Sequence, residues 1–133
     1  MKKENFKNFD LLSPKFEREN IQLGLSRVKK ALEELNDPCK NIPAIQIIGT
    51  NGKGSITAFI ENILYTEKKN IGVTTSPHLL DICERIRVNK ENINKEEFEG
   101  LFKKIENDLP TFKLSPFELI LCCALVYLSL IHI

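Results

Sequence analysis

The stretch from Ala44 to Ser55, Ala-Ile-Gln-Ile-Ile-Gly-Thr-Asn-Gly-Lys-Gly-Ser, limits what this chain can fold into more than any other part of it. Ala44 to Ile48 is a short apolar run suited to a strand covered on both faces, as in parallel sheets. Gly49, Gly52 and Gly54 follow, removing side chains where backbone must turn tightly and bring its N–H groups close to an anion. From Ser55 the period changes to that of a helix, with Ile56, Phe59, Ile60, Ile63 and Leu64 on one face. Strand, glycine turn and helix in this order deliver loop amides and a helix N-terminus to one point, which is phosphate-binding architecture. Lys53 adds a point positive charge for phosphates, and Ser55 or Thr50 a hydroxyl for phosphate or magnesium.

The general phosphate-loop pattern, Gly, four residues, then Gly-Lys-Ser/Thr, is broken twice. Gly49 stands only three residues before Gly52, and Gly54 separates Lys53 from Ser55. A glycine-rich turn with a merely solvated lysine is the bland alternative. The strand, glycines, lysine, hydroxyl and helix all fall in the order that phosphate binding needs, and this favours the functional reading.

A second apolar strand is expected at Ile71 to Thr75, reached by a short polar turn at Lys68 to Asn70, and strand, helix, strand makes a parallel unit. The carboxyl end of that strand should lie beside the phosphate loop, the edge where such sheets bind ligands. There stand Ser76, Pro77 and His78; Ser-Pro alone marks an ordinary turn, but beside a phosphate loop it reads as part of a site. Asp81 to Asn89 alternates Glu84, Arg85 and Arg87 with Ile86 and Val88, as a half-buried strand with a polar face would. Earlier in the chain, Ser13-Pro14 opens a helix in which Ile21, Leu25, Val28, Leu32 and Leu35 repeat until Asn36-Asp37-Pro38. Later, Asn94 with Glu97 reads as a capping box, and Phe98, Leu101, Phe102, Ile105 and Leu109 form one packing stripe ending at Pro110. Ser115-Pro116-Phe117-Glu118 is a further helix start, with Pro at the first helical position and Glu three residues after the cap.

Charge and composition exclude several classes of partner. The chain has 133 residues, 42% of them hydrophobic, enough for one modest core. The net charge of +1 comes from interspersed Lys, Arg, Asp and Glu, so there is no basic stripe for nucleic acid, and small molecules are the expected partners. Cys39, Cys83, Cys122 and Cys123 have no C-x-x-C spacing and read as small apolar residues in a reduced, cytoplasmic setting. Met1 to Asp10 lacks the apolar segment of a signal peptide and is expected to be a short docking helix or a frayed end. Phe117 to Ile133 is apolar but slightly short of the roughly 20 residues of a membrane span and lacks flanking basic residues, so a buried helix is expected.

The departure from the general loop pattern carries a resemblance. Gly-Thr-Asn-Gly-Lys-Gly-Ser resembles the variant phosphate loop of the Mur ligase superfamily. Together with Thr75-Ser76-Pro77-His78-Leu79, Glu84-Arg85-Ile86-Arg87, Leu23-Gly24-Leu25-Ser26-Arg27-Val28 and Pro116-Phe117-Glu118, it is similar to folylpolyglutamate synthase and dihydrofolate synthase. The likeness runs from about Ser13 to Tyr127. It implies an α/β, three-layer, parallel-sheet P-loop domain of Mur ligase type, truncated at its C-terminus. ATP and magnesium are the implied cofactors, with dihydropteroate or folate and L-glutamate as substrates and a monomer as the expected state. Thr50, Asn51, Gly52, Lys53, Gly54 and Ser55 would bind ATP, with Lys53 as the catalytic cation, and Ser76 would ligate the magnesium bound to ATP. Gln22, Leu23 and Gly24, with Ser115, Pro116, Phe117 and Glu118, would approach the pterin substrate, although helix capping alone accounts for Ser115 and Glu118. His78 would orient its loop, touch substrate or lie at the surface, and Arg85 or Arg87 would meet a carboxylate.

Ligases of this kind transfer the γ-phosphoryl group of ATP to a substrate carboxylate, and the amine of glutamate then attacks the acyl phosphate and expels phosphate. The further magnesium ligands, a carbamylated lysine and the glutamate-binding C-terminal domain that the family uses are expected beyond the present chain, so the chain is expected to be inactive. Residues 1–127 read as the N-terminal part of the ATP-binding domain. Leu128 to Ile133 departs from the family and matches the in-frame translation of the adapter string CTGTCTCTTATACACATC, so these six residues are expected to be non-native. The alternatives are another Mur-type amide ligase, a nucleotide-binding module without catalysis, or a small membrane-associated protein.

Overall fold

The computed structural model describes residues 25–131. In order, these form α1 (Ser26–Glu34), α2 (Lys53–Thr66), β1 (Gly72–Thr74), a 3-10 turn (Ile82–Arg85), β2 (Ile86–Val88), β3 (Glu91–Asn92), α3 (Lys95–Asp108) and α4 (Pro116–Leu130). The expected helix start at Ser13 and the Met1 to Asp10 segment lie outside the described residues.

The core is built by the segments whose periodicity is clearest. Phe98, Phe102, Ile105 and Leu109 of the α3 stripe are buried and Leu101 half-buried against α4. Helix α4 also lies against α1 and β1, and its own composition explains why: with almost no polar residue after Glu118 it has no face to offer to water. Adjacent Cys122 and Cys123 are therefore both fully buried although they point to different sides of the helix. From α1, Val28 and Ala31 join this core. Leu25 does not: it is 82% exposed and stands at the N-cap, so the stripe expected through it begins at Val28. Among the described helices none is long and apolar enough to cross a membrane, and α4 runs through Leu128, which is buried, to Leu130.

Both later helix starts follow from their caps. Ser115 accepts from Glu118 N at 3.3 Å while the Glu118 carboxylate accepts from Ser115 N at 2.7 Å, a reciprocal capping box with Pro116 at the first helical position. At α3 the Asn94 side chain accepts from Glu97 N at 2.8 Å, the forward half of the expected box.

The sheet differs from expectation. It has three short antiparallel strands in the order β1-β2-β3, with Val73 opposite Arg87 and Arg87 opposite Asn92. β1 is the second strand anticipated at Ile71 to Thr75, but its neighbour is β2, and the Ala44 to Ile48 run forms no strand among the described residues. That run is largely exposed, with Ile45 at 66% and Ile48 at 82%. A strand exists only where a neighbour completes its ladder, and a central parallel strand needs one on each side. β1 is an edge here and no described strand lies next to Ala44 to Ile48, so the apolar run has the composition of a strand without the pairing. Similarly, Asp81 to Asn89 is not one continuous strand. Asp81 caps a 3-10 turn by accepting from Cys83 N at 2.8 Å, and extended backbone begins only at Ile86.

Candidate nucleotide-binding site

Gly49 to Ser55 runs into α2 as anticipated. Gly52 is the N-cap of α2 at φ 75°, a left-handed conformation that costs an L residue roughly 1–2 kcal/mol. As a glycine it also brings no side chain to satisfy the amides of the first turn. A Cβ added at Gly52 or Gly54 would meet no protein atom within 4 Å. The missing side chains are therefore not required by packing inside the chain; they leave the backbone of the loop open to a ligand. Thr50, Asn51 and Ser55 are exposed beside them. Lys53 folds back over the loop and donates from Nζ to the carbonyls of Gly49 and, at 3.4 Å, Thr50. A cation, an unencumbered helix N-terminus and two hydroxyls fit a polyphosphate.

Ser76 is exposed just beyond the C-terminal end of β1, the strand end where it was expected. The described residues contain no group of three or more His, Cys, Asp or Glu side chains able to hold a metal ion. The donors present, hydroxyls, suit magnesium only in company with phosphate oxygens, because magnesium needs several oxygen ligands.

The loop after Ser76 is fixed by a residue that sequence reasoning placed in a strand. The Glu84 carboxylate accepts from the amides of Leu79 at 2.8 Å and of Leu80 and Asp81, each at 2.9 Å. Those amides, Leu79 first, hold its pKa below the ordinary carboxylate value. Arg85, buried and with its pKa lowered by desolvation, donates from Nε to Nδ1 of His78 at 2.9 Å, so His78 is tied to the loop. Arg87 forms an ion pair with Glu61 of α2 at 2.7 Å. The carboxylate that Arg87 meets thus belongs to this chain.

Ser115 to Glu118 lie at the start of α4. Phe117 is 54% exposed, whereas Pro116 and Glu118 are buried. Besides Ser115 N, the Glu118 carboxylate takes a bond to each oxygen, both at 3.1 Å, from Nη2 of Arg27 in α1. Gln22, Leu23 and Gly24 lie outside the described residues, but Arg27 stands three positions after Gly24 and anchors that end of α1 to the α4 start. The sequence signal for Arg27 and Glu61 was weak: each is a charge within an otherwise periodic segment, and only the fold shows that they turn inward, whereas Glu84 stays at the surface and bonds amides three to five residues away.

The fold places the chain beside α/β domains of Mur ligase type. In sequence and fold the chain is similar to folylpolyglutamate and dihydrofolate synthases. It is 36% identical over 109 residues to the dihydrofolate synthetase of Saccharomyces cerevisiae, a match covering 80% of this chain and 26% of that protein. With the dihydrofolate synthase/folylpolyglutamate synthase of Bacillus subtilis it shares 33% over 118 residues, covering 84% of this chain and 27% of the relative. The solved bifunctional folylpolyglutamate synthase/dihydrofolate synthase of Yersinia pestis superposes with a TM-score of 0.83 at 34% identity, over 92% of this chain and 30% of that one. A solved bifunctional synthase with Mn, AMPPNP and L-glutamate bound gives a TM-score of 0.80 at 34% identity, over 91% of this chain and 29% of that one. The chain thus spans between a quarter and a third of the length of these relatives. No protein-family model matches the sequence.

Proposed function

We propose that this chain is part of the ATP-binding domain of a ligase that adds L-glutamate to dihydropteroate, to folates, or to both. The observation that carries this reading is the side-chain-free N-terminus of α2 beside Lys53, in a chain similar to a synthase solved with Mn, AMPPNP and L-glutamate. In this reading Thr50 to Ser55 hold the phosphates of ATP, Lys53 stabilises charge on the γ-phosphoryl group as it moves to the substrate carboxylate, and ADP leaves. Glutamate then attacks the acyl phosphate through its amine and releases phosphate. Ser76 would help to hold the magnesium that accompanies ATP, and the metal would neutralise charge on the phosphates. Ala44 to Ile48 and β1 belong to a parallel, three-layer sheet that is formed when its neighbouring strands are present. Gln22, Leu23, Gly24 and Phe117 face the pterin substrate, while Ser115, Pro116 and Glu118 shape the corner beneath it.

The chain as it stands is expected to bind ATP weakly and to turn over no substrate. Titrating ATP with magnesium into the 133-residue protein should give a saturable heat that falls at least tenfold in affinity in Lys53→Ala, because a charged hydrogen bond is worth about 1.5–3 kcal/mol. Equal affinities in the two proteins would remove Lys53 from the site. ATP- and glutamate-dependent product from the purified chain would show that its chemistry is complete.

A further inference from the structure

Helix α2 carries the glycine loop, yet its apolar face is only partly covered, with Ile60 and Leu64 half-buried. Ile56, Phe59 and Ile63 are 48%, 68% and 62% exposed, and Glu61 is the one residue of the helix that is buried, at 6%. Glu61 lies eight positions after Lys53, about two turns along the helix. Its carboxylate receives Arg87 through two bonds, Nη2 to Oε2 at 2.7 Å and Nε to Oε1 at 3.4 Å. Arg87 stands at the centre of β2, opposite Val73 of β1 on one side and Asn92 of β3 on the other. Val73 precedes Ser76 by three residues on the same strand and its continuation. The ion pair therefore joins the element that bears Lys53 and Ser55 to the strand pair that bears Ser76.

A guanidinium-carboxylate pair fixed at two points sets an angle as well as a distance, and one with Glu61 buried and Arg87 half-buried is weak evidence of net stability. We infer that Glu61 and Arg87 are positioning residues that align the phosphate loop with Ser76, so that one magnesium-nucleotide is gripped by both. Neither residue touches the nucleotide. This inference rests on the nucleotide-binding reading above and adds to it the device by which the two halves of the site are kept in register.

The test compares ATP binding with magnesium and with EDTA in the full 133-residue chain. The wild type is expected to bind ATP more tightly with magnesium, since only then does Ser76 contribute. In the double variant Glu61→Met/Arg87→Met the buried carboxylate and the half-buried guanidinium are replaced by apolar side chains, a change that such pairs often tolerate in stability. Its melting temperature should stay within a few degrees of the wild type. The gain in affinity from magnesium should fall at least tenfold, while affinity in EDTA, which reads the loop alone, stays within about twofold. Arg87→Lys, which keeps the charge but loses the fork, provides a second folded variant and should show a smaller loss of the same kind. Retention of the full magnesium gain by either folded variant overturns the inference. So does failure of both to fold, because the pair would then be a foundation of the structure and not an aligning device. A wild type whose binding ignores magnesium gives a different signature, and removes the underlying reading together with the inference.

Discussion

Glu84 illustrates how a single side chain can be legible as a charge and illegible as a function. In the sequence it alternates with apolar neighbours and reads as the wet face of a strand. In the fold its carboxylate closes the loop from Leu79 to Asp81 by accepting three amides. These bonds favour the charged form and lower its pKa from the ordinary 4.5. A depressed carboxylate contributes order that is fully present above that ordinary value and is lost as pH falls through the lowered one. Amide exchange at Leu79, Leu80 and Asp81 should therefore accelerate as the solution is taken below about pH 4.5. In Glu84→Gln it should be fast already at neutral pH and lack this step. Exchange rates in the wild type that follow only the intrinsic pH dependence would show that the carboxylate does not hold the loop. The same scale accounts for the cysteines: burial raises the Cys122 thiol to about 11 and those of Cys83 and Cys123 to about 12, which makes them packing groups and not nucleophiles.

At the scale of the element, helix ends explain more than helix middles. α1 and α2 both finish in the same way, with a residue in the left-handed region and paired back-bonds from the next amides. Asp37 N reaches Leu32 O at 2.8 Å after Asn36 at φ 62°, and Lys69 N reaches Leu64 O at 3.2 Å after Lys68 at φ 56°. Asn tolerates this conformation, whereas Lys carries its steric cost. Lys68→Gly is expected to stabilise the protein by about 0.5–1 kcal/mol, the relief of strain exceeding the extra freedom of glycine in the unfolded chain. Asn36→Gly should gain less. Urea denaturation of the two variants checks the order, and a loss of stability in Lys68→Gly would show that the α2 terminus is not closed in solution as described. The Ser115 to Glu118 start, by contrast, was readable directly from sequence because its cap is local: four consecutive residues satisfy one another before any tertiary contact is made.

Across the whole molecule, two regions differ in how far their apolar pattern is satisfied. α3, α4 and α1 close a core in which Ile105, Cys122, Cys123 and Ala124 are sealed from water. α2 and the Ala44 to Ile48 run are also rich in apolar residues and remain largely exposed, with only Ile47, Ile60 and Leu64 of those residues half-buried. Within α2, Phe59, at 68% exposure, is the clearest case. Phe59→Lys should leave the melting temperature nearly unchanged, as surface substitutions shift stability by no more than about 0.5 kcal/mol, and should reduce self-association at high concentration. Light scattering and thermal melts on the same samples check both halves. Destabilisation of more than about 2 kcal/mol would mean that Phe59 is buried in solution. What the sequence determined by itself was everything governed by neighbours along the chain: the glycine loop with Lys53, the caps at Asn94 and Ser115, the stripe of α3 and the resemblance carried by Gly49 to Ser55. Only the tertiary structure decided which charges turn inward, so that Glu61 finds Arg87 and Glu118 finds Arg27. It also decided that β1 pairs with β2 and that the Ala44 to Ile48 run is left unpaired among the described residues. The physical reason is the same in each case: local hydrogen bonds and periodicity are set by spacing of a few residues, whereas ion pairs and strand ladders depend on partners that spacing does not name.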